Sequence, residues 1–129
     1  MGGWSLDLNK YAEKCKKNLN DVKKEVAISL YSSIVKKTPV DTGRARGNWH
    51  ISVGQENYDT FDKVTKSPLK SEYSKMENSG DKPTYIQNNL PYIVALEYGH
   101  SKQAPNGMVG ITVANMQKYI EKAIAEVTK

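Results

Sequence analysis

Cysteine is almost missing from this sequence: one residue, Cys15, in 129. On the apolar stripe of a predicted helix a lone cysteine reads as a small buried thiol, so neither a disulfide framework nor a cysteine-ligated metal is indicated. Histidine is nearly as scarce, with His50 and His100 only. Long apolar runs are absent too. The uninterrupted ones are a few residues long and no signal-peptide core stands at the N-terminus. Neither a membrane span nor secretion is therefore indicated, and the expectation is a soluble intracellular protein. The chain also lacks a glycine-rich phosphate cradle after a strand and a serine in a nucleophile elbow.

What is present is a chain the size of one domain, residues 1–129, able to bury about two thirds of its unfolded surface around one core. Its net charge is +5. Residues 1–40 hold eight lysines against four acids, and the remainder sums to only +1. The excess therefore falls in the first helix, where Lys10, Lys14, Lys17 and Lys24 share the outer face with Glu13, Asp21 and Glu25. A face of mixed sign reads as solvated. A small basic DNA-binding protein is the alternative this charge raises.

Leu8, Tyr11, Ala12, Cys15, Leu19, Val22, Val26, Leu30 and Ile34 recur at steps of three and four, which predicts an amphipathic helix over residues 8–36. Thr38 precedes Pro39 and must leave the helical region, so the helix stops near Lys37. At about 1.5 Å per residue the rod is about 43 Å long, and part of it is expected to project. Ile28, Tyr31 and Val35 form a second stripe nearly opposite the first. Two apolar sides mean burial on two sides, either by the domain's own sheet or by a neighbouring subunit.

Residues 44–99 are expected to hold a small sheet and short helices. Trp49, Ile51 and Val53 alternate with Asn48, His50 and Ser52 as in a half-buried strand ending at Gly54. Residues 55–66 are polar and carry no decisive period. Ser67-Pro68 resembles a cap followed by proline in the first turn, opening a short helix with Leu69, Tyr73 and Met76. Residues 84–87 read as a strand. Asn88-Asn89 caps a short buried helix containing Ile93, Val94 and Leu96, with Gly99 just past its end. Val109, Val113, Met116, Ile120, Ala123, Ile124 and Val127 keep helical spacing over residues 108–127. The fold class is α+β, two long helices packed on a small antiparallel sheet with one or two short helices.

Two constellations raise chemistry and both fall short. Asp41-Thr42-Gly43 is the triplet of aspartic proteases, whose paired carboxylates share a proton inside an apolar hairpin core. Here Arg44 and Arg46 follow directly and a helix precedes, which defeats that arrangement. Glu97 and His100 have the i, i+3 spacing of carboxylate-bridged metal bundles, but those need two such pairs and further glutamates. No catalytic, metal or cofactor residues are assigned. What ordinary folding leaves over is Ser101, Lys102, Gln103, Ala104, Pro105, Asn106 and Gly107, a loop between two helices that reads as a contact loop.

The stretches "TPVDTGRARGNW" after a long helix and "YIQNNLPYIVALEYGHSKQAPNGMV" before a final one resemble the head–tail joining proteins of tailed bacteriophages, variously called neck, minor tail or tail-completion proteins. The resemblance covers residues 20–127, with 55–82 matching in length and character. It implies a virion structural subunit without enzymatic activity or cofactor, packed with copies of itself in a ring, often a hexamer. The ring would stand at the head–tail junction or tail end, as a neck, tail-completion or tail-terminator protein. It would be assembled in the host bacterial cytoplasm, and its partners would be neighbouring neck and tail-tube proteins. DNA would pass only through the lumen, and no membrane is involved. Candidate interface residues are Ile28, Tyr31, Val35, Ser101, Lys102, Gln103 and Asn106. Thr42-Gly43-Arg44 and Glu97-Tyr98-Gly99 fall on the family's two signature turns, and an Arg44–Glu97 ion pair is the expected tie between them.

Overall fold

A computed structural model of the chain describes residues 19–40, 43–77, 79–98 and 107–127. Among these, helix α1 spans Leu19–Lys37, α2 Arg44–Gly47, α3 Lys70–Ser74, α4 Ile93–Glu97, α5 Val109–Ala114 and α6 Met116–Val127, with strands β1 at His50–Val53 and β2 at Thr84–Gln87. This is the α+β arrangement that the sequence predicts, with long helices α1 and α6 on a two-stranded antiparallel sheet. Cys15 and the rest of the predicted helix before Leu19 lie outside the described residues. No described helix is long and apolar enough to cross a membrane.

Helix α1 is apolar on two sides because two cores share it. Val22, Val26 and Leu30 pack on Ile120 and Ala123 of α6, with Tyr119, Ile124 and Val127 at the margin. Ala27, Tyr31, Ile34 and Val35 face the other way, into a cluster with Ala45, Trp49, Ile51, Met76, Leu90, Ile93 and Met108. Asp21 in the first turn and Lys36 and Lys37 in the last complement the helix dipole. The helix ends at Thr38, whose hydroxyl donates to the Ile34 carbonyl at 2.7 Å and accepts from Trp49 Nε1 at 2.9 Å. One threonine thus closes the helix and fixes the tryptophan that precedes β1.

The sheet pairs His50 with Gln87, Ile51 with Ile86, Ser52 with Tyr85 and Val53 with Thr84. Side chains alternate across a strand, so Ile51, Val53 and Ile86 point to the apolar clusters while His50 and Gln87 share the opposite face. That second face is not solvated as the half-buried reading expects: Asn48 and His50 are 0% and 2% exposed. Residues 55–66, undecided from sequence, form neither helix nor strand and run as a strap across this face. The strap is held by side-chain amides. Asn48 Oδ1 accepts from Phe61 N at 2.7 Å and its Nδ2 donates to Phe61 O at 2.9 Å. Gln87 Oε1 accepts from Asn57 N, and Asn89 Nδ2 donates to the Asn57 and Asp59 carbonyls, all at 2.8 Å.

Three boundaries differ from the sequence expectation. Helix α3 begins at Lys70, not at Pro68, because Leu69 is extended and spends its N–H on the Tyr31 hydroxyl at 3.1 Å. Val94 is 60% exposed, outside the core, since Ile93 takes the inward position on the short α4. The single helix expected over 108–127 is broken at Asn115, whose side chain donates to Ile111 O at 2.9 Å. An asparagine that bonds its own backbone competes with helix continuation.

The strap crosses α2 so closely that a Cβ built on Gly47 would overlap the Lys63 carbonyl. Gly47→Ala is therefore expected to displace the strap and lower stability by about 1–3 kcal/mol. The denaturation midpoint should fall and proteolysis within residues 55–66 should accelerate while helical circular dichroism is kept. An unchanged midpoint would show that the strap does not rest on α2.

Candidate functional site

The site suggested by sequence divides into parts the structure places and parts it does not. Asp41, Thr42, His100, Ser101, Lys102, Gln103 and Asn106 lie outside the described residues. Tyr31 and Val35 are 0% exposed and Ile28 packs on the same cluster, so the second stripe of α1 is closed by the chain's own sheet and short helices. For Tyr31 and Val35 this favours the first of the two alternatives left open above, whereas Ile28 keeps part of its side chain at the surface. A side chain with no exposed surface in the single chain offers nothing to a neighbour.

Glu97 is found in a different role from the expected pairing with Arg44. Its Oε1 accepts from the backbone N–H groups of Met108 and Val109 and its Oε2 from that of Gly110, each at 2.8 Å. Arg44 stands at the exposed start of α2. The first N–H groups of a helix have no intrahelical acceptor, and a carboxylate there gains both hydrogen bonds and the helix dipole. Glu97 is thus the cap of α5 supplied from the end of α4. Gly107 makes the approach possible: its φ is 77°, and a Cβ would overlap the Glu97 carbonyl. The clasp thus ties the end of α4 to the start of α5.

Among the described residues, Ser33, His50 and Glu72 are each engaged by groups of the fold itself. Ser33 Oγ accepts from Lys37 Nζ at 2.8 Å and from Tyr119 OH at 3.0 Å, and lies 3.1 Å from Thr112 Oγ1. This serine and lysine knit α1 to α5 and α6, with Ser33 9% exposed. His50 is enclosed, its Nδ1 3.0 Å from Asn48 O and its Nε2 2.9 Å from Asn57 O, with the Phe61 ring edge-on at 5.1 Å. Glu72 is 1% exposed and receives Ile51 N at 2.8 Å and Lys75 Nζ at 2.7 Å, with Lys63 Nζ at 3.8 Å. That carboxylate satisfies an outer-edge amide of β1. An open hollow of about 640 Å³ beside it is lined by Ser52, Val53, Glu56, Tyr58 and Lys75 and holds no nucleophile–base pair. No group of three or more metal-ligating side chains occurs among the described residues.

Sequence reading missed two buried or half-buried cations. Lys23 is 6% exposed and donates to the Gly80 and Lys82 carbonyls, and burial lowers its pKa, with Asp81 opposing. The Arg46 guanidinium donates to the carbonyls of Thr38 at 2.7 Å, Lys36 at 2.9 Å and Lys66. Neither follows from local spacing, because the partners are backbone carbonyls distant in sequence. Also missed is the clustering of surplus apolar surface. Of the seven exposed large hydrophobics among the described residues, Tyr92, Val94, Tyr98, Ile111 and Val113 belong to α4, α5 or their flanks, and Tyr58 and Val64 to the strap.

Tyr31 gives a pH test of its placement. Burial raises its phenol pKa from 10.0 to about 12, with the Leu69 amide hydrogen bond acting in the opposite sense. Since the folded value lies above the unfolded one, the contribution of the neutral phenol is complete below pH 10. It is lost as pH rises from 10 to about 12, a span worth on the order of 2 kcal/mol. Urea titrations should show this fall in the wild type and a shallower one in Tyr31→Phe. Glu97→Ala, which strips three N–H groups of their acceptor, should lower stability by about 2 kcal/mol at pH 7 by the same measurement, and Glu97→Gln by less.

Comparison with protein-family models, with curated proteins and with solved structures finds no match to this chain.

Proposed function

We propose that this protein is a structural subunit of a tailed bacteriophage or prophage virion, forming a ring at the head–tail junction or tail end. The reading rests on the resemblance carried by residues 38–49 and 85–109, and one structural observation supports it most. The exposed apolar side chains Tyr92, Val94, Tyr98, Ile111 and Val113 lie on α4, α5 and their flanks, the two helices that the Glu97 clasp joins. A closed ring needs a heterologous contact, one face of each copy meeting a different face of the next. Apolar residues on two helices tied to each other suit such a face, because little conformational entropy is lost on docking. With Tyr31 and Val35 inside the fold, this corner takes over the interface role first assigned to the α1 stripe.

The solution mass tests the reading. Light scattering should give a multiple of 14.4 kDa, alone or on addition of tail-tube protein. Val94→Asp with Tyr98→Asp should return it to the monomer mass with an unchanged melting temperature, each aspartate placing a charge where apolar contact is needed. Lys102→Glu with Gln103→Glu should block head–tail joining in the same way. A strictly monomeric wild type that never adds to a tail would end the proposal.

A further inference from the structure

Arg46 does more than close the end of α1. Its three donors reach carbonyls on two separate segments, Lys36 and Thr38 at the end of α1 and Lys66 at the end of the strap. A guanidinium presents these donors in one rigid plane, so the two segments are drawn to the same side of α2. The Thr65 N–H also bonds Gly43 O at 3.0 Å, and Leu69 N–H bonds the Tyr31 hydroxyl of α1. Residues 62–70 therefore run beside the last turns of α1 and the start of α2.

The charge gathered there is unusual. Residues 35–46 carry Lys36, Lys37, Arg44 and Arg46 against Asp41, and residues 62–70 carry Lys63, Lys66 and Lys70 against Asp62. Seven basic residues less two acidic ones give +5, the net charge of the whole chain; the other 12 basic and 12 acidic residues cancel. Glu72 and Lys75 adjoin the segment and together leave the sum unchanged, although Glu72 lies 2.7 Å from Lys75 Nζ and 3.8 Å from Lys63 Nζ and so offsets part of the Lys63 charge. Lys36, Arg44, Lys63, Lys66 and Lys70 are exposed, and the partners of Arg46 are neutral carbonyls that leave its charge uncompensated. Among the described residues, the positive charge is thus concentrated on this corner.

We infer that this corner, Lys36, Arg44, Lys63, Lys66 and Lys70 around Arg46, is a binding surface for the phosphate backbone of double-stranded nucleic acid. A polyanion gains by releasing counterions to several fixed cations at once. The large apolar side chains at the corner are Val64, which is exposed, and Phe61, half-buried against His50 with Lys63 Nζ 5.1 Å over its ring, while the exposed tyrosines belong to other segments. It presents no fully exposed aromatic face for stacking bases, and a single exposed valine is a weak anchor for a lipid surface, so the contact is with backbone phosphate and carries no sequence preference. The inference does not rest on the ring reading.

The test is fluorescence anisotropy of a labelled duplex with the full chain across a salt series. The logarithm of affinity should fall with the logarithm of salt at a slope of about −4, as for four to five phosphate contacts. Lys36→Glu with Lys66→Glu should weaken binding at least tenfold at moderate salt and flatten the slope by about 2. Lys118→Glu with Lys122→Glu, an equal charge change on the exposed side of α6, should change affinity less than threefold. Equal weakening by both pairs, no binding even at low salt, or capture by phosphatidylserine vesicles with none by the duplex would each overturn the inference. The mass of every variant is read in parallel. A monomeric protein that still binds the duplex would sink the ring and spare the corner, and a ring that ignores the duplex would do the reverse.

Discussion

Burial of α1 on two sides is the constraint from which the rest of the structure follows. A helix with one apolar stripe needs one partner layer, whereas α1 presents Val22, Val26 and Leu30 to α6 and Tyr31, Ile34 and Val35 to the sheet and short helices. Two small cores are thereby joined through a single rod, and neither α6 nor the sheet is complete without it. The hydroxyl cluster of Ser33, Thr112 and Tyr119 lies where the two layers meet, which lets polar groups bridge α1, α5 and α6 at the seam.

The second theme is that irregular chain is held by side-chain amides in place of a third strand. The two-stranded sheet has one face on the apolar clusters and would expose the other. Asn48, Gln87 and Asn89 cover it by receiving and donating to the backbone of residues 55–66 much as a neighbouring strand would. Amide side chains carry both a donor and an acceptor, so each satisfies the backbone of a segment with no ladder of its own. Glu72 serves the outer edge of β1 by the same logic, with a carboxylate for acceptor and lysines for compensation.

How much of this was legible beforehand depends on whether the deciding contact is local. The helix through Val22, Val26 and Leu30, the strand at 84–87 and the Asn88 turn, whose Oδ1 accepts from Leu90 N at 3.1 Å, all show in periodicity or turn chemistry. The strap does not, because its partners are side chains 13 to 32 positions away. Glu97 was singled out, yet its bonds to the backbone at the start of α5 were not read, because charge pairing points to side chains and not to N–H groups. The break at Asn115 was hidden by apolar spacing that runs unbroken through it. The basic corner was hidden for a simpler reason, since a tally along the chain cannot see that residues 36 and 66 share one guanidinium.

The Glu97 clasp has a consequence for how this protein can vary. Closing a loop costs entropy that depends only weakly on its length, and here the closure is supplied at the base by a carboxylate on three backbone N–H groups. The relative placing of α4 and α5 is then set by one carboxylate and by the close approach that Gly107 permits, so a change at either end of this tie is felt at the other.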